Sequence, residues 1–243
     1  MKKISLTFAT AGMFILGSAS ASAAVLQEEA AASSKGFTQV LKEQFIQGGP
    51  AFMGIVLLCL ILGLAVAIER IIYLNMATTN TAALKESVEA ALASGGVEEA
   101  KNVCRETAGP VASIYYQGLE RSGEGLEAAE KAVVSYGGVQ MGQLEKNVSW
   151  LSLFIAIAPM LGFMGTVIGM IQAFQKIAAV GNLSASLIAG DIQVALLTTV
   201  FGLITAIILQ IFYNYIIAKI DAIVNDMEDS SISLIDMLAA SKK

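Results

Sequence analysis

The sequence predicts an all-α membrane protein with three spanning helices that extend beyond the bilayer into a helical polar domain. Hydrophobic residues make up 56% of the chain and charged residues 14%, whereas a soluble domain carries about a quarter charged residues. Three runs have no charge, and each is close to the roughly 20 helical residues that cross a hydrocarbon core. They are residues 51–68, 149–174 and 192–217. Between the first two, apolar residues keep a helical spacing.

The composition also argues against several classes of function. The chain has no histidine, which rules out histidine-based triads, most catalytic zinc sites and histidine proton relays. It has no GxxxxGK[ST] nucleotide loop, and a net charge of −5 without a basic patch argues against nucleic acid. Packing is the simpler role for Cys59 and Cys104. No catalytic residue, metal ligand or cofactor is predicted, and an enzyme is the weakest interpretation.

Residues 1–23 have the three parts of a secretory signal peptide. Two lysines supply the positive charge, an apolar core follows, and Ala21-Ser22-Ala23 is the cleavage signal. We expect cleavage after Ala23 and a periplasmic segment over residues 24–50. An uncleaved anchor helix is the alternative, although the apolar core is short for one.

The first transmembrane helix is predicted over residues 51–74. Its uncharged part ends at Glu69-Arg70, and apolar residues resume behind this pair, so the helix should continue past the membrane face. We interpret Glu69 and Arg70 as a membrane-boundary pair in which Arg70 reaches toward lipid headgroups. A packing or ion-relay role for Glu69 is the alternative.

Residues 75–148 are predicted to form a helical domain in water. Three short helices are expected there, and they cover residues 78–93, 97–107 and 110–121. From Leu126 the apolar positions recur at helical spacing and lead into the second span without a breaker. This pattern predicts one long helix, partly in water and partly in lipid, with Gly137-Gly138 as the place where it could bend.

The second span, assigned to residues 149–175, has a face of small and polar residues. Members of this face recur at helical spacing. They are Ser152, Pro159, Gly162, Thr166, Gly169, Ala173 and Lys176, and Gly165 is a further glycine of the span. Small residues gain nothing from facing lipid, so this face should meet protein or water. Close helix–helix packing is the simpler interpretation, and a pore wall is the alternative.

A loop over residues 176–190 is expected before the third span, which is assigned to residues 191–217. This span also has a small and polar face. Its members are Asp191, Ala195, Thr198, Gly202 and Thr205, with Thr199 beside them. An acidic amphipathic helix or tail follows over residues 218–243. No carboxylate lies deep within any span, so a proton path would need an acid from another protein.

Charges near the span ends predict the orientation. Arg70, Lys146 and Lys219 lie at ends that share one side of the membrane, and only Lys42 and Lys176 lie near the opposite ends. The positive-inside rule places the first group in the cytoplasm. The polar domain and the C-terminus are therefore expected to be cytoplasmic and the N-terminus periplasmic, and the signal peptide predicts the same orientation.

The polar faces of the second and third spans predict an assembly of several copies. The first span has no such face, so it should lie outside toward lipid. Since a single pair of helices cannot enclose a channel, a closed homo-oligomeric ring is implied. The hydroxyls of Thr166, Thr198 and Thr199 would then line its interior, although a threonine in a membrane helix often bonds only its own backbone.

Two groups of residues resemble signatures of the MotA/TolQ/ExbB proton channel family. In the second span they are APMLG at 158–162, GTVIGMI at 165–171 and Phe174; in the third they are ALLTT at 195–199, Gly202-Leu203 and Tyr213-Asn214. The resemblance covers about residues 145–214. Three spans with a polar domain after the first resemble ExbB and TolQ rather than four-span MotA. Glu69-Arg70 resembles the pair that ends the first span in many members.

The resemblance implies a ring in the bacterial inner membrane, a pentamer, around the helices of an ExbD- or TolR-like partner. That single-span partner would supply a membrane aspartate, and proton passage would energise a TonB-like protein. Thr166 and Thr199 match the pore-facing threonines of the family. The chain resembles ExbB more than TolQ; a TolQ-like role in the Tol-Pal system and a non-conducting scaffold are the alternatives.

Two positions depart from the family pattern. Many members have a glutamate where this chain has Val194, and an Ile-Pro pair where it has Ile207-Ile208. The missing acid removes an intrinsic proton station, whose place Asp191, one turn earlier, could partly take. The missing proline predicts a straighter third helix.

Overall fold

The fold is entirely helical over the residues that the computed structural model describes, which are 37–181 and 184–241. Within these residues seven α-helices follow one another. They are α1 (Phe37–Gln47), α2 (Pro50–Ala77), α3 (Thr81–Glu106), α4 (Pro110–Arg121), α5 (Leu126–Leu144), α6 (Val148–Val180) and α7 (Ala185–Ser241), with a short 3-10 helix over Ser122–Glu124. The signal peptide and the cleavage site predicted within residues 1–23 lie outside the described residues.

Three of these helices, α2, α6 and α7, contain segments long and apolar enough to cross a membrane. Over the residues that the structure describes, this confirms the prediction of an all-helical fold with three helices able to span a membrane. Helix α2 begins with Pro50, which suits a first helical position because proline has no N–H to leave unpaired. It continues past Glu69-Arg70 to Ala77, as predicted.

The predicted helices between the first two spans are present. The side chain of Asn80 caps α3 by accepting a hydrogen bond from the backbone N–H of Ala83, at 3.1 Å. Gly96 divides α3 with a kink, since its φ of 73° is a conformation that glycine adopts without strain. Pro110 begins α4.

The prediction of one continuous helix from Leu126 into the second span is wrong. Helix α5 ends at Leu144, and Asn147 has a φ of 65° before α6 begins at Val148. Asparagine is among the few residues that tolerate this left-handed conformation. The chain therefore breaks just before α6, whereas Gly137-Gly138 lies within unbroken helix.

The prediction of a long loop over residues 176–190 is also wrong. Helix α6 continues to Val180 and ends at Gly181, whose φ is 68°, and α7 begins at Ala185. Helix α7 then continues for 57 residues to Ser241, a length of about 85 Å. It contains no proline, and the predicted tail is the second half of this helix.

Helix α6 packs along α7, and α2 lies across both of them. At the other end of the molecule, α3, α4 and α5 pack around the second half of α7, and we call this part the polar domain. Its core contains Tyr115, Leu119 and Leu234, which are all fully buried. One hydrophobic core extends from the polar domain into the α2–α6–α7 bundle.

Candidate functional site

The small faces of α6 and α7 pack directly against each other within one copy of the chain. A Cβ atom on Gly162 would lie 2.9 Å from the carbonyl oxygen of Thr198, and one on Gly169 would lie 2.8 Å from Cβ of Ala195. Gly202 of α7 makes the reciprocal approach, since its Cβ would lie 2.6 Å from the carbonyl oxygen of Ala158. We call this line of contact the α6–α7 seam.

The seam accounts for most of the predicted face. Gly162, Gly165, Gly169 and Ala173 are buried in it. Pro159 lies inside α6 and is half-buried. Three further residues predicted on the small and polar faces lie outside the seam. Ser152 and Lys176 are exposed, and Thr205 is buried in a groove beside α2. Close packing is thus what the glycines do within a single chain.

Three threonine hydroxyls form one cluster across the seam. The hydroxyl of Thr199 donates to the carbonyl oxygen of Gly162 at 3.1 Å, and that of Thr166 donates to the carbonyl oxygen of Ala195 at 3.2 Å. The hydroxyls of Thr166 and Thr199 also lie within hydrogen-bonding contact of each other, so either one can donate to the other instead of to its carbonyl oxygen. Thr198, which is fully buried, donates to the carbonyl oxygen of Ala195 at 2.8 Å. The threonine cluster therefore links the second and third spans instead of serving one helix alone.

The cluster lies on the flank of the helix pair that α2 does not cover. Phe201 and Ile208 of α7 face the groove beside α2, together with Thr205. At about 100° per residue, Thr199 points roughly 150° away from the centre of that group. Thr166 and Thr199 are only partly buried. The uncovered flank of α6 and α7 thus presents hydroxyls between otherwise apolar side chains.

Asp191 lies at the end of the seam and bridges the two helices. Its carboxylate accepts a hydrogen bond from the ammonium group of Lys176 at 2.8 Å, and its side chain is only 13% exposed. Its second carboxylate oxygen, Oδ2, is buried and has no hydrogen-bond partner among the described residues. Eight residues separate Asp191 from Thr199, which places them about 12 Å apart along α7.

Val194 does not share this environment. Its side chain contacts the turn before α2, because a Cβ on Gly49 would lie 3.5 Å from Cγ1 of Val194. Val194 therefore contacts the α1–α2 turn, whereas Asp191 pairs with α6. Asp191 lies one turn away from Val194 but has a different partner.

Arg70 is buried against protein, which contradicts the expectation that it reaches toward lipid headgroups. Only 3% of the residue is exposed. Its guanidinium group donates to both carboxylate oxygens of Glu69, at 2.5 and 2.7 Å, and to the carbonyl oxygen of Gln143 at 3.3 Å. It also lies 4.6 Å from the ring centroid of Tyr73.

Glu69 and Arg70 also contact the break between α5 and α6, residues 145–147, and its flank. The side chain of Asn147 hydrogen-bonds Glu69, so the acid and the arginine together hold the break from both sides. Asn147 and Gln143 were not predicted as site residues. Asparagine at a helix end is the one sequence signal that could have pointed to them.

No cluster of metal-ligating side chains occurs in the part of the chain that the structure describes. The thiol of Cys104 is buried in the polar domain, and this burial raises its pKa to about 11. A thiol in that environment stays protonated and unreactive near neutral pH.

A family model for the MotA/TolQ/ExbB proton channel family matches residues 106–229, just over half of the chain. An ExbB homologue of Methanothermobacter thermautotrophicus is 32% identical over 169 residues, which are 69% of this chain and 60% of the relative. The ExbB protein of Neisseria meningitidis serogroup A is 27% identical over 193 residues, 72% of this chain and 86% of the relative.

Other matches are shorter. The ExbB protein of Xanthomonas campestris is 34% identical over 94 residues, so this chain spans 37% of that relative's length. The TolQ protein of Haemophilus influenzae is 30% identical over 87 residues, which are 36% of this chain and 38% of the relative. ExbB and TolQ are thus both among the similar proteins.

Proposed function

Because the chain belongs to the MotA/TolQ/ExbB proton channel family, we propose that it is the ring subunit of a motor driven by the proton-motive force. It resides in the bacterial inner membrane and acts with an ExbD-like single-span partner to energise a TonB-like protein for transport across the outer membrane. The observation that best supports this proposal is the threonine cluster on the uncovered flank of α6 and α7.

This uncovered flank supports the proposal of a ring. Hydroxyls gain nothing from facing lipid, and α2 covers only the opposite side of the helix pair. Several copies, five by resemblance to the family, bring these flanks around a common axis with the spans α6 and α7 inside and α2 outside. The glycines of the seam let α6 and α7 stand close enough to form this wall.

The proton-carrying acid within the membrane comes from the partner. The spans of this chain have no carboxylate near their middle, and protonatable stations at that depth are what proton paths use. In the proposed ring, Thr166 and Thr199 face the partner's aspartate and offer it hydroxyls. Asp191, held by Lys176, is the acid of this chain at the mouth of the path.

The proposed topology has the N-terminus in the periplasm. Residues 75–144 and the second half of α7 are then cytoplasmic, and the short connection between α6 and α7 is periplasmic. Arg70, Lys146 and Lys219 all lie near the cytoplasmic face, as the positive-inside rule requires. Glu69 and Arg70 fix the α5–α6 break at this face.

Two variants of the same chemistry test the role of the hydroxyls. Thr199→Val removes a hydroxyl from the cluster, whereas Thr205→Val removes one that is equally internal to α7 but lies on the α2 side. With the partner in vesicles, we expect Thr199→Val to abolish proton flux with the ring intact by native mass spectrometry, and Thr205→Val to conduct. Normal flux through Thr199→Val would refute the role of the cluster.

Two other functions have specific support. The match to TolQ of Haemophilus influenzae supports a TolQ-like subunit of the Tol-Pal system. Energised uptake through a TonB-dependent receptor, in a strain that has only this chain and its partner, would exclude that role. A non-conducting scaffold is favoured because every cluster hydroxyl already bonds a backbone carbonyl. Measurable flux in vesicles excludes that scaffold.

A further inference from the structure

A second site lies on the opposite flank of α7 from the threonine cluster. Helices α1, α2 and α7 enclose an apolar groove of about 660 Å³. Leu57 and Ile204 form its open side and remain 43% and 46% exposed, while Thr205 lies at its floor. Lys42 of α1 is the charged residue of its lining.

The groove is closed at its inner end and opens sideways, along Leu57 and Ile204. At the inner end α2 and α7 touch, since a Cβ on Gly63 would lie 2.6 Å from Cδ1 of Leu209. At the outer end α2 begins at Pro50, next to α1, and the turn between them contacts Val194 of α7. The distance from Pro50 to Gly63 is thirteen residues, or about 20 Å of helix. One leaflet of a bilayer has about 15 Å of hydrocarbon, so the groove ends near the middle of the membrane.

This shape decides between the possible occupants. A partner helix is about 10–12 Å wide and needs the full thickness of roughly 30 Å to cross, and it would collide with the Gly63–Leu209 contact. A hydrocarbon chain that enters from the interface is narrow enough and ends where the groove ends. The floor and walls offer it apolar side chains along its whole length.

The charge of Lys42 identifies the headgroup. Lysine lays its aliphatic stem along apolar surface and keeps its ammonium group in the interface. Lys42 is exposed and lines the groove from α1, the helix that precedes the start of α2. A lysine in this position attracts an anionic headgroup.

We propose that the groove between α1, α2 and α7 binds one phospholipid with an anionic headgroup, whose phosphate pairs with Lys42 and whose acyl chain lies along Leu57 and Leu60. The lipid is a wedge between the outer span and the helix that carries Thr199. The proposal depends on α2 and α7 crossing the bilayer and not on proton transport, so Thr199→Val leaves lipid retention unchanged.

Native mass spectrometry of the full chain tests the proposal. The protein is released from nanodiscs of equal parts phosphatidylglycerol and phosphatidylcholine, and the retained lipid is counted. We expect the wild type to retain phosphatidylglycerol over phosphatidylcholine, and Lys42→Gln to lower this preference about fivefold, the contribution of one lysine near an anionic surface. Lys219→Gln, at the other end of the span, should leave it unchanged.

A matched pair of tryptophan variants tests the location. Leu57→Trp fills the groove, whereas Leu58→Trp adds the same ring to an exposed position that does not line it. We expect Leu57→Trp to lose the retained lipid and Leu58→Trp to keep it. The proposal is overturned if both variants retain lipid equally, if the wild type does not distinguish the two headgroups, or if a photo-crosslinker at position 57 labels a protein and not lipid.

Discussion

Replacing Gly202 with alanine tests whether the α6–α7 seam sets the spacing of the second and third spans. The new Cβ atom would lie 2.6 Å from the carbonyl oxygen of Ala158 and 3.2 Å from Cα of Gly162. Both obstacles are backbone, so no side-chain rotation relieves the contact. Because non-bonded heavy atoms prefer separations of about 3.5–4.0 Å, α7 must move away from α6 by roughly 1 Å.

That displacement also stretches the threonine cluster. The bond from Thr199 to the carbonyl oxygen of Gly162 is 3.1 Å long, and another 1 Å takes it beyond hydrogen-bond range. Overpacking costs about 1–3 kcal/mol, and each lost interhelical bond in a membrane adds about 0.6 kcal/mol. The better helix propensity of alanine returns up to about 1 kcal/mol. We expect a net loss of about 1–3 kcal/mol.

The measurement is unfolding in mixed micelles of increasing SDS content, followed by circular dichroism. Gly54→Ala is the matched control, because Gly54 lies within α2 and a Cβ there would have no neighbour within 4 Å. We expect Gly54→Ala to be neutral or slightly stabilising. If Gly202→Ala is as stable as the wild type, or if both variants lose the same free energy, the close approach at the seam does not limit helix spacing.

Three further predictions concern charged and buried groups. Arg70→Lys keeps the charge but loses the bidentate hydrogen bond with Glu69. We expect the free energy of unfolding in the same SDS titration to fall by about 1–2 kcal/mol. Unchanged stability would contradict a structural role for the contacts of Arg70 with Glu69 and Gln143. Burial raises the pKa of Cys104 from 9.0 to about 11. The stability that the buried, protonated thiol contributes is therefore fully present below pH 9 and is lost as the pH rises to 11. At pH 8, iodoacetamide should label Cys104 only after the protein unfolds. Asp191→Asn removes an ion pair in which the Lys176 side chain is half-exposed, so the free energy of unfolding should change by less than about 1 kcal/mol. Proton flux in vesicles should nevertheless fall about tenfold. Unchanged flux would remove Asp191 from the proton path.

Much of the architecture could be predicted because it depends on strong local signals. Uncharged runs set the three helices able to span a membrane, and proline and glycine set the start of α4 and the kink in α3. Helical spacing also placed Gly162 and Gly169 on one face of the second span and Ala195 on one face of the third, and the structure brings these two faces into contact. These features follow from the chain's own geometry and do not need knowledge of distant partners.

The wrong predictions concern features that tertiary contacts decide. Residues 176–190 have the composition of a loop, but packing of α6 on α7 extends both helices through most of it. The break at Asn147 is held by Glu69, which lies 78 residues earlier in the chain. Arg70 faces inward because the carbonyl oxygen of Gln143 is available where α5 ends. None of these contacts leaves a periodic signal in the sequence.

Helix α7 extends far beyond the threonine cluster. From Thr199 to Ser241 the helix has no break, and this arm is about 63 Å long. A tilt of about 5° at the threonines therefore displaces the far end by about 5 Å, a step as large as one helical turn. The displacement caused by a tilt of α7 at the threonine cluster would therefore be larger at the tip of the polar domain than at the cluster itself.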